Sequence, residues 1–153
     1  MKSIVTDIDF LKQKSEDVSF DMALPIAEEL VRILMITPNA AGLAAPQIGI
    51  LKRVCVCRQK TGKIKIYINP KIESREEDID FKGEGCLSFP GIYFTTIRSN
   101  KIVVEDDMNG KTELSGFDAV CLQHEIDHLN GVVFHDRKKG WCSIKRNAQQ
   151  FDH

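Results

Sequence analysis

The sequence predicts an α+β domain, with mixed, mainly antiparallel strands around one central helix. Three observations carry this. Apolar residues recur at helical spacing near residues 27–35 and again near 117–128, but not between. The residues from Arg53 to Ser115 read instead as β-rich runs. Thr61-Gly62 and Asn109-Gly110 interrupt those runs as turns, and short turns join strands that run in opposite directions.

The elements follow in order. Ala27, Leu30, Val31, Leu34 and Met35 form one apolar helical stripe. That helix starts between Asp21 and Pro25, where Asp caps and Pro fits a first turn, and Pro38-Asn39 ends it. The stretch NAAGLAAPQIG, Asn39 to Gly49, has little side-chain bulk, so its backbone can approach a ligand closely. VCV at 54–56 and IKIYI at 64–68 are strands, with Cys55 and Cys57 read as core and surface positions of the first. The acids between Lys71 and Phe81 mark a partly exposed strand. KIVVE at 101–105 and KTELS at 111–115 form a hairpin around Asn109-Gly110. Ser115 and Asp118 fit a capping box for the second helix, and Asn130-Gly131 fits its stop. On that helix Phe117, Val120, Cys121, His124 and His128 share one face, while Leu122, Ile126 and Leu129 form a second apolar flank. A helix apolar over most of its circumference is buried. Beyond Arg137 the polar tail reads as a short helix or a frayed end, residues 141–153 above all.

The 153 residues suit a single domain spanning 1–153. A net charge of -1 leaves no electrostatic footprint for nucleic acid. No apolar run reaches the roughly 18 to 20 residues of a bilayer span, and the N-terminal residues lack the pattern of a secretory signal. Five cysteines form no paired framework, which points to a reducing compartment and to any special cysteine as ligand or nucleophile.

The chemistry gathers at HEIDH, His124 to His128. Spacing i, i+4 places both imidazoles on one face of the helix, one turn apart. Two buried imidazoles that close need a shared partner, and a cation supplies one. Glu125 lies beside them, within reach of a water at such an ion. Asp127 reads equally as a solvated carboxylate or as an acceptor that orients an imidazole or holds the neighbouring chain. A catalytic site of this kind takes a third protein ligand. His135, Asp136 and His153 lie downstream, and Cys86 lies upstream in the glycine-flanked turn GEGCLSFPG. Spacing leaves the choice among them open. Glu84 and Arg98 are a candidate surface ion pair beside that turn, of little energetic worth and positional in use.

Three segments, GLAAPQ, EGCLS and HEIDHLNG, together resemble the three motifs of the peptide deformylase family. That family removes the N-formyl group from the initiator methionine of new proteins, releasing formate. The resemblance runs from about Asp21 to Arg137. It implies that Cys86, His124 and His128 bind a divalent metal ion, Fe(II) in the cell with Zn(II) or Ni(II) as substitutes. It implies Glu125 as acid/base, with the Gln47 side chain and the Leu87 backbone N–H as oxyanion donors. Gly42 would pair with an extended peptide, and Ala41, Phe117, Val120 and Cys121 would line the methionine pocket. The expected substrate is an N-formylmethionyl peptide, a nascent chain at the ribosome, met in the cytoplasm by a monomeric enzyme with no membrane or nucleic-acid partner. Two positions depart from the family pattern. Ala40 stands where a glycine usually opens the first motif, and the tail lacks the strong amphipathic helix of many bacterial members.

Overall fold

The computed structural model describes residues 3–141. Three helices, α1 (Ile8–Leu11), α2 (Phe20–Ile36) and α3 (Gly116–Leu129), combine with seven strands. The strands are β1 (Gly42–Ala44), β2 (Val54–Arg58), β3 (Ile64–Ile68), β4 (Lys71–Cys86), β5 (Phe89–Asp106), β6 (Gly110–Ser115) and β7 (Lys138–Trp141). All described pairings among them are antiparallel, so the α+β expectation holds.

α2 begins earlier than its sequence suggests. Ser19 caps it by accepting from the Met22 N–H, which leaves Pro25 inside the helix rather than in its first turn. The missing Pro25 N–H leaves the Asp21 carbonyl without its helical donor, near an exposed end where water can serve it. The buried face is Ala23, Ala27, Leu30, Ile33 and Leu34. Met35, expected in the stripe, is 67% exposed. Each of the buried leucines contributes about 1.5–3 kcal/mol by leaving water.

That face packs on a three-stranded sheet of order β1-β2-β3. The alternation of a strand then divides β2 between two layers. Val54 and Val56 turn toward α2, whereas Cys55 and Cys57 turn toward α3. Cys55 and Cys57 are therefore not core and surface positions. They share one face, and both are buried because a helix covers each side of the sheet. β3 closes the sheet's far edge, where side chains from the β5–β6 turn replace a neighbouring strand. The Ile68 N–H donates to Asp106 Oδ2, the Asn109 amide donates to the Ile66 carbonyl, and the Asp107 N–H donates to the Ile68 carbonyl.

α3 lies between this sheet and a second one built on the long β4–β5 hairpin, with Ile102 and Val104 of β5 packed in the same core. Every α3 residue from Ala119 to Leu129 is buried. Ser115 is its N-cap, but no side-chain cap bond forms there. The expected capping box is absent because Asp118 turns outward and accepts from the Lys60 N–H, tying the β2–β3 turn to the helix start. Asn130 caps the far end, followed by Gly131 at φ 73°. A side chain on Gly131 would strike the Lys12 carbonyl as well as strain the backbone. β5 pairs with β6 at one end and with β7 at the other. In the gap, the Gln123 carboxamide bonds both the N–H and the carbonyl of Ser99, acting as a stand-in strand. Lys138–Trp141 is thus a strand, not a helix or a frayed end. The expectation for 142–153 lies outside the described residues. The acids between Lys71 and Phe81 are exposed as expected, whereas Glu84, further along β4, is buried.

Asp106 holds four bonds at the β3 edge, from the N–H groups of Ile68, Met108 and Asn109 and from the Asn109 side chain. Asp106→Ala should lower stability by about 3 kcal/mol, the cost of stranding buried donors. Urea unfolding with a lower midpoint and an unchanged slope would show it.

Candidate metal centre

α3 and the end of β4 bring three donors together. His124 and His128 face one way along α3, with their Nε2 atoms 3.2 Å apart. Cys86 is the last residue of β4, and its Sγ lies 3.4 Å from His128 Nε2. The three ligand atoms all fall within 4.8 Å of one another, and all three residues are buried. For a tetrahedral ion with metal–nitrogen bonds of about 2.05 Å and metal–sulfur bonds of about 2.3 Å, the expected separations are roughly 3.3 Å for N···N and 3.6 Å for N···S. The donor set and its spacing fit such an ion. Of the other proposed third ligands, the described ones, His135 and Asp136, do not join it. The His135 ring packs among Phe89, Phe94 and Phe134, Asp136 is exposed, and His153 lies outside the described residues.

One carboxylate organises this centre. Glu84, fully buried, accepts from His124 Nδ1 at 2.6 Å. Arg98 grips it twice, Nε on Oε1 at 2.9 Å and Nη2 on Oε2 at 2.6 Å, and the Thr96 hydroxyl donates to Oε1 at 2.7 Å. Burial alone would raise the Glu84 carboxyl, but Arg98 and His124 outweigh it and hold the group well below the usual carboxylate range. An ionised carboxylate only accepts, so His124 carries its proton on Nδ1 and turns the Nε2 lone pair to the centre. The pair expected at the surface is thus a buried one. Arg98 reaches on to Asp127 Oδ2 at 2.6 Å, and Arg137 clasps the same carboxylate with Nε and Nη2, both at 3.1 Å. Asp127 is buried and holds the neighbouring chain; it neither points to solvent nor bonds an imidazole.

Glu125 lies on α3 directly beneath Gly42 of β1. A Cβ on Gly42 would strike the Glu125 carboxylate and come within 3.0 Å of the Val56 carbonyl. Glycine is required there by close approach, not by a special φ. Burial pushes the Glu125 carboxyl well above its ordinary range, Glu84 and Asp127 add to that, and Arg98 opposes it.

Gln47 sits in the 3-10 turn Ala45–Ile48 that follows β1. Its Oε1 accepts from the Ala44 N–H at 3.0 Å, so its amide nitrogen turns toward the centre. That nitrogen donates to Ser88 Oγ at 3.2 Å and approaches Cys86 Sγ at 3.7 Å. Leu87 and Ser88 form the turn between Cys86 and its β5 partner Phe89. The half-buried Leu87 packs against the α2 layer. Ala41, Val120 and Cys121 are fully buried here, with the Cys121 thiol donating to the Ala41 carbonyl at 3.3 Å. Phe117 is half-buried and tilts against Phe81.

Sequence reasoning missed Ser88, Thr96, Phe134 and Arg137. Thr96 could have been found, since it alternates with Arg98 on the strand face that meets Glu84. Phe134, whose ring lies 5.8 Å from that of His124, carried no local signal.

A buried Cys–His–His cradle with a helical glutamate beside it is an arrangement able to hold a metal ion. Comparison with known proteins narrows this. Residues 1–143 match the family described as Polypeptide deformylase. A peptide deformylase of Prochlorococcus marinus (strain NATL2A) is 41% identical over 85% of this chain and 68% of its own. A probable peptide deformylase of synechococcus phage S-SSM7 superimposes with a TM-score of 0.79 at 35% identity, covering 90% of this chain and 99% of that one. A class I type b peptide deformylase of Acinetobacter baumannii, solved with Met-Ala-Ser bound, gives a TM-score of 0.80 at 28% identity over 90% and 99%. The chain belongs to the peptide deformylase family, metal-dependent enzymes that hydrolyse the N-formyl group from nascent polypeptides. Among the described residues, no helix is long and apolar enough to cross a membrane.

Gly42→Ala should keep its metal yet push the Glu125 carboxylate aside, lowering formate release about tenfold or more, since general acid–base geometry tolerates little displacement. Metal content and turnover measured on the same sample test this. A second expectation concerns acid. Glu84 titrates below its unfolded value of 4.5, so its stabilisation is complete above that pH and is lost as pH falls through the folded value. The metal-free protein should lose stability across that window, and Glu84→Gln should flatten the slope in urea titrations at successive pH values.

Proposed function

We propose that Cys86, His124 and His128 hold one divalent cation and that Glu125 is the proton shuttle of deformylation. The observation that carries this is the convergence of the three donor atoms beside a buried glutamate. A cation held there supplies Lewis acidity and lowers the pKa of a water beside it. Glu125 takes the proton of that water, and its burial makes it a stronger base than an exposed carboxylate. The water oxygen attacks the formyl carbon. The Gln47 amide and the Leu87 N–H then donate to the oxygen that becomes negative. Glu125 returns the proton to the departing amine, and formate leaves.

The thiolate ligand is soft, which suits Fe(II) as the resident ion and leaves Zn(II) and Ni(II) as workable substitutes. β1 is an outer strand of its sheet, paired with β2, and Gly42 sits at its start. An extended peptide adds along that strand, with Gly42 supplying backbone bonds. The methionine side chain enters between Ala41, Phe117, Val120 and Cys121, which part from their present packing to admit it. The binding of Met-Ala-Ser by the Acinetobacter baumannii relative supports this class of ligand. The natural substrate is the nascent chain at the ribosome, and the enzyme acts as a cytoplasmic monomer.

Anaerobic purification with metal analysis, followed by formate release from formyl-Met-Ala-Ser against an acetyl-Met-Ala-Ser control, tests the reading. Glu125→Ala should stay folded and metal-loaded and lose turnover by about 10³-fold or more. Undiminished release would overturn the mechanism. Cys86→Ala should lose metal while its circular dichroism is unchanged; full metal content would remove Cys86 from the ligand set.

A further inference from the structure

Gln47 is held at both ends of its carboxamide. A side-chain amide has one acceptor oxygen and two N–H donors. The oxygen is committed to the Ala44 N–H at 3.0 Å, which also settles which way the amide is turned, because a donor facing that N–H would be repelled. One N–H is committed to Ser88 Oγ at 3.2 Å. The remaining N–H donates weakly to Cys86 Sγ at 3.7 Å, which keeps it on the side of the centre. Ser88 itself is 2% exposed and sits one residue past Leu87 in the two-residue turn that leads out of Cys86. The hairpin that delivers the thiol therefore also places the hydroxyl. The last torsion of a glutamine side chain is broad and soft, so without that hydroxyl only the Ala44 end would restrain the amide plane.

We propose that Ser88 is a positioning residue for deformylation: its hydroxyl holds one Gln47 N–H and so aims the other at the oxyanion. The inference rests on Gln47 as the oxyanion donor. Its effect is indirect, since Ser88 acts through Gln47, and it falls on the transition state. kcat should drop while KM and metal content stay at their wild-type values.

The test is a double-mutant cycle in the metal-loaded enzyme, assayed by formate release from formyl-Met-Ala-Ser. Gln47→Ala should lower kcat about 10²-fold or more, the usual cost of one oxyanion donor. Ser88→Ala should lower kcat about tenfold alone and less than twofold when Gln47 is already alanine. Wild-type kcat in Ser88→Ala, or a full tenfold loss added to Gln47→Ala, overturns the inference. Wild-type kcat in Gln47→Ala overturns the donor assignment itself, a separate failure. Ser88→Thr and Ser88→Val guard against a variant that fails to fold or load metal. They add the same bulk, and only threonine keeps the acceptor, so threonine should exceed valine in kcat about tenfold; equal rates overturn the proposal.

Discussion

The contact between Glu84 and His124 is the constraint on which the rest of the centre depends. A carboxylate with no exposed surface is expensive, by several kcal/mol even after relaxation. It persists because all its acceptor capacity is used, by two Arg98 nitrogens, the Thr96 hydroxyl and the imidazole. That arrangement sets the His124 tautomer. It also locks α3 to the β4–β5 hairpin, which is the joint that matters, because α3 carries two donors and the end of β4 carries the third. Removing one partner would strand the others, so the network rigidifies the joint far more than an apolar contact of the same area would.

The same helix is held from its other side by the β1–β2–β3 sheet. Burial of β2 on both faces leaves α3 no freedom to rise, and small residues at Gly42, Ala41 and Ala44 let β1 come down onto it. The closeness serves chemistry as well as packing. The strand proposed to take the peptide is the one that touches Glu125, and the turn after it carries Gln47. On the proposed reading, a substrate laid along β1 is indexed to Glu125 and Gln47 without any flexible loop between them.

Local features of this arrangement were readable in the sequence. The i, i+4 histidines, the bounds of α3, the Asn109-Gly110 turn and the exposed acids between Lys71 and Phe81 each depend on a few neighbouring residues, and each stands where the pattern placed it. Long-range partners were not readable. Glu84 and Arg98 looked like a surface pair because nothing between residues 84 and 98 says that α3 will cover them. Asp118 had the spacing of a cap but found the Lys60 N–H, 58 positions away. Cys55 and Cys57 looked half-exposed because alternation predicts one wet face, and only the tertiary fold supplies a second helix. Ser19 took the capping role from Asp21 because local propensity ranks the two alike. The third ligand is the sharpest case. Spacing alone left four candidates, and hairpin geometry separates Cys86 from the other described ones by bringing its sulfur to the histidines.

Charge explains why these residues belong to one unit. Glu84, Asp127 and Glu125 are buried acids. Against them the network sets Arg98, deeply buried, and Arg137 at its rim. Burial would lower the Arg98 guanidinium, but Glu84 and Asp127 raise it further than burial lowers it, so it stays charged. These two guanidinium groups balance Glu84 and Asp127. Burial first, and then Glu84 and Asp127, push the Glu125 carboxyl upward, and Arg98 opposes them.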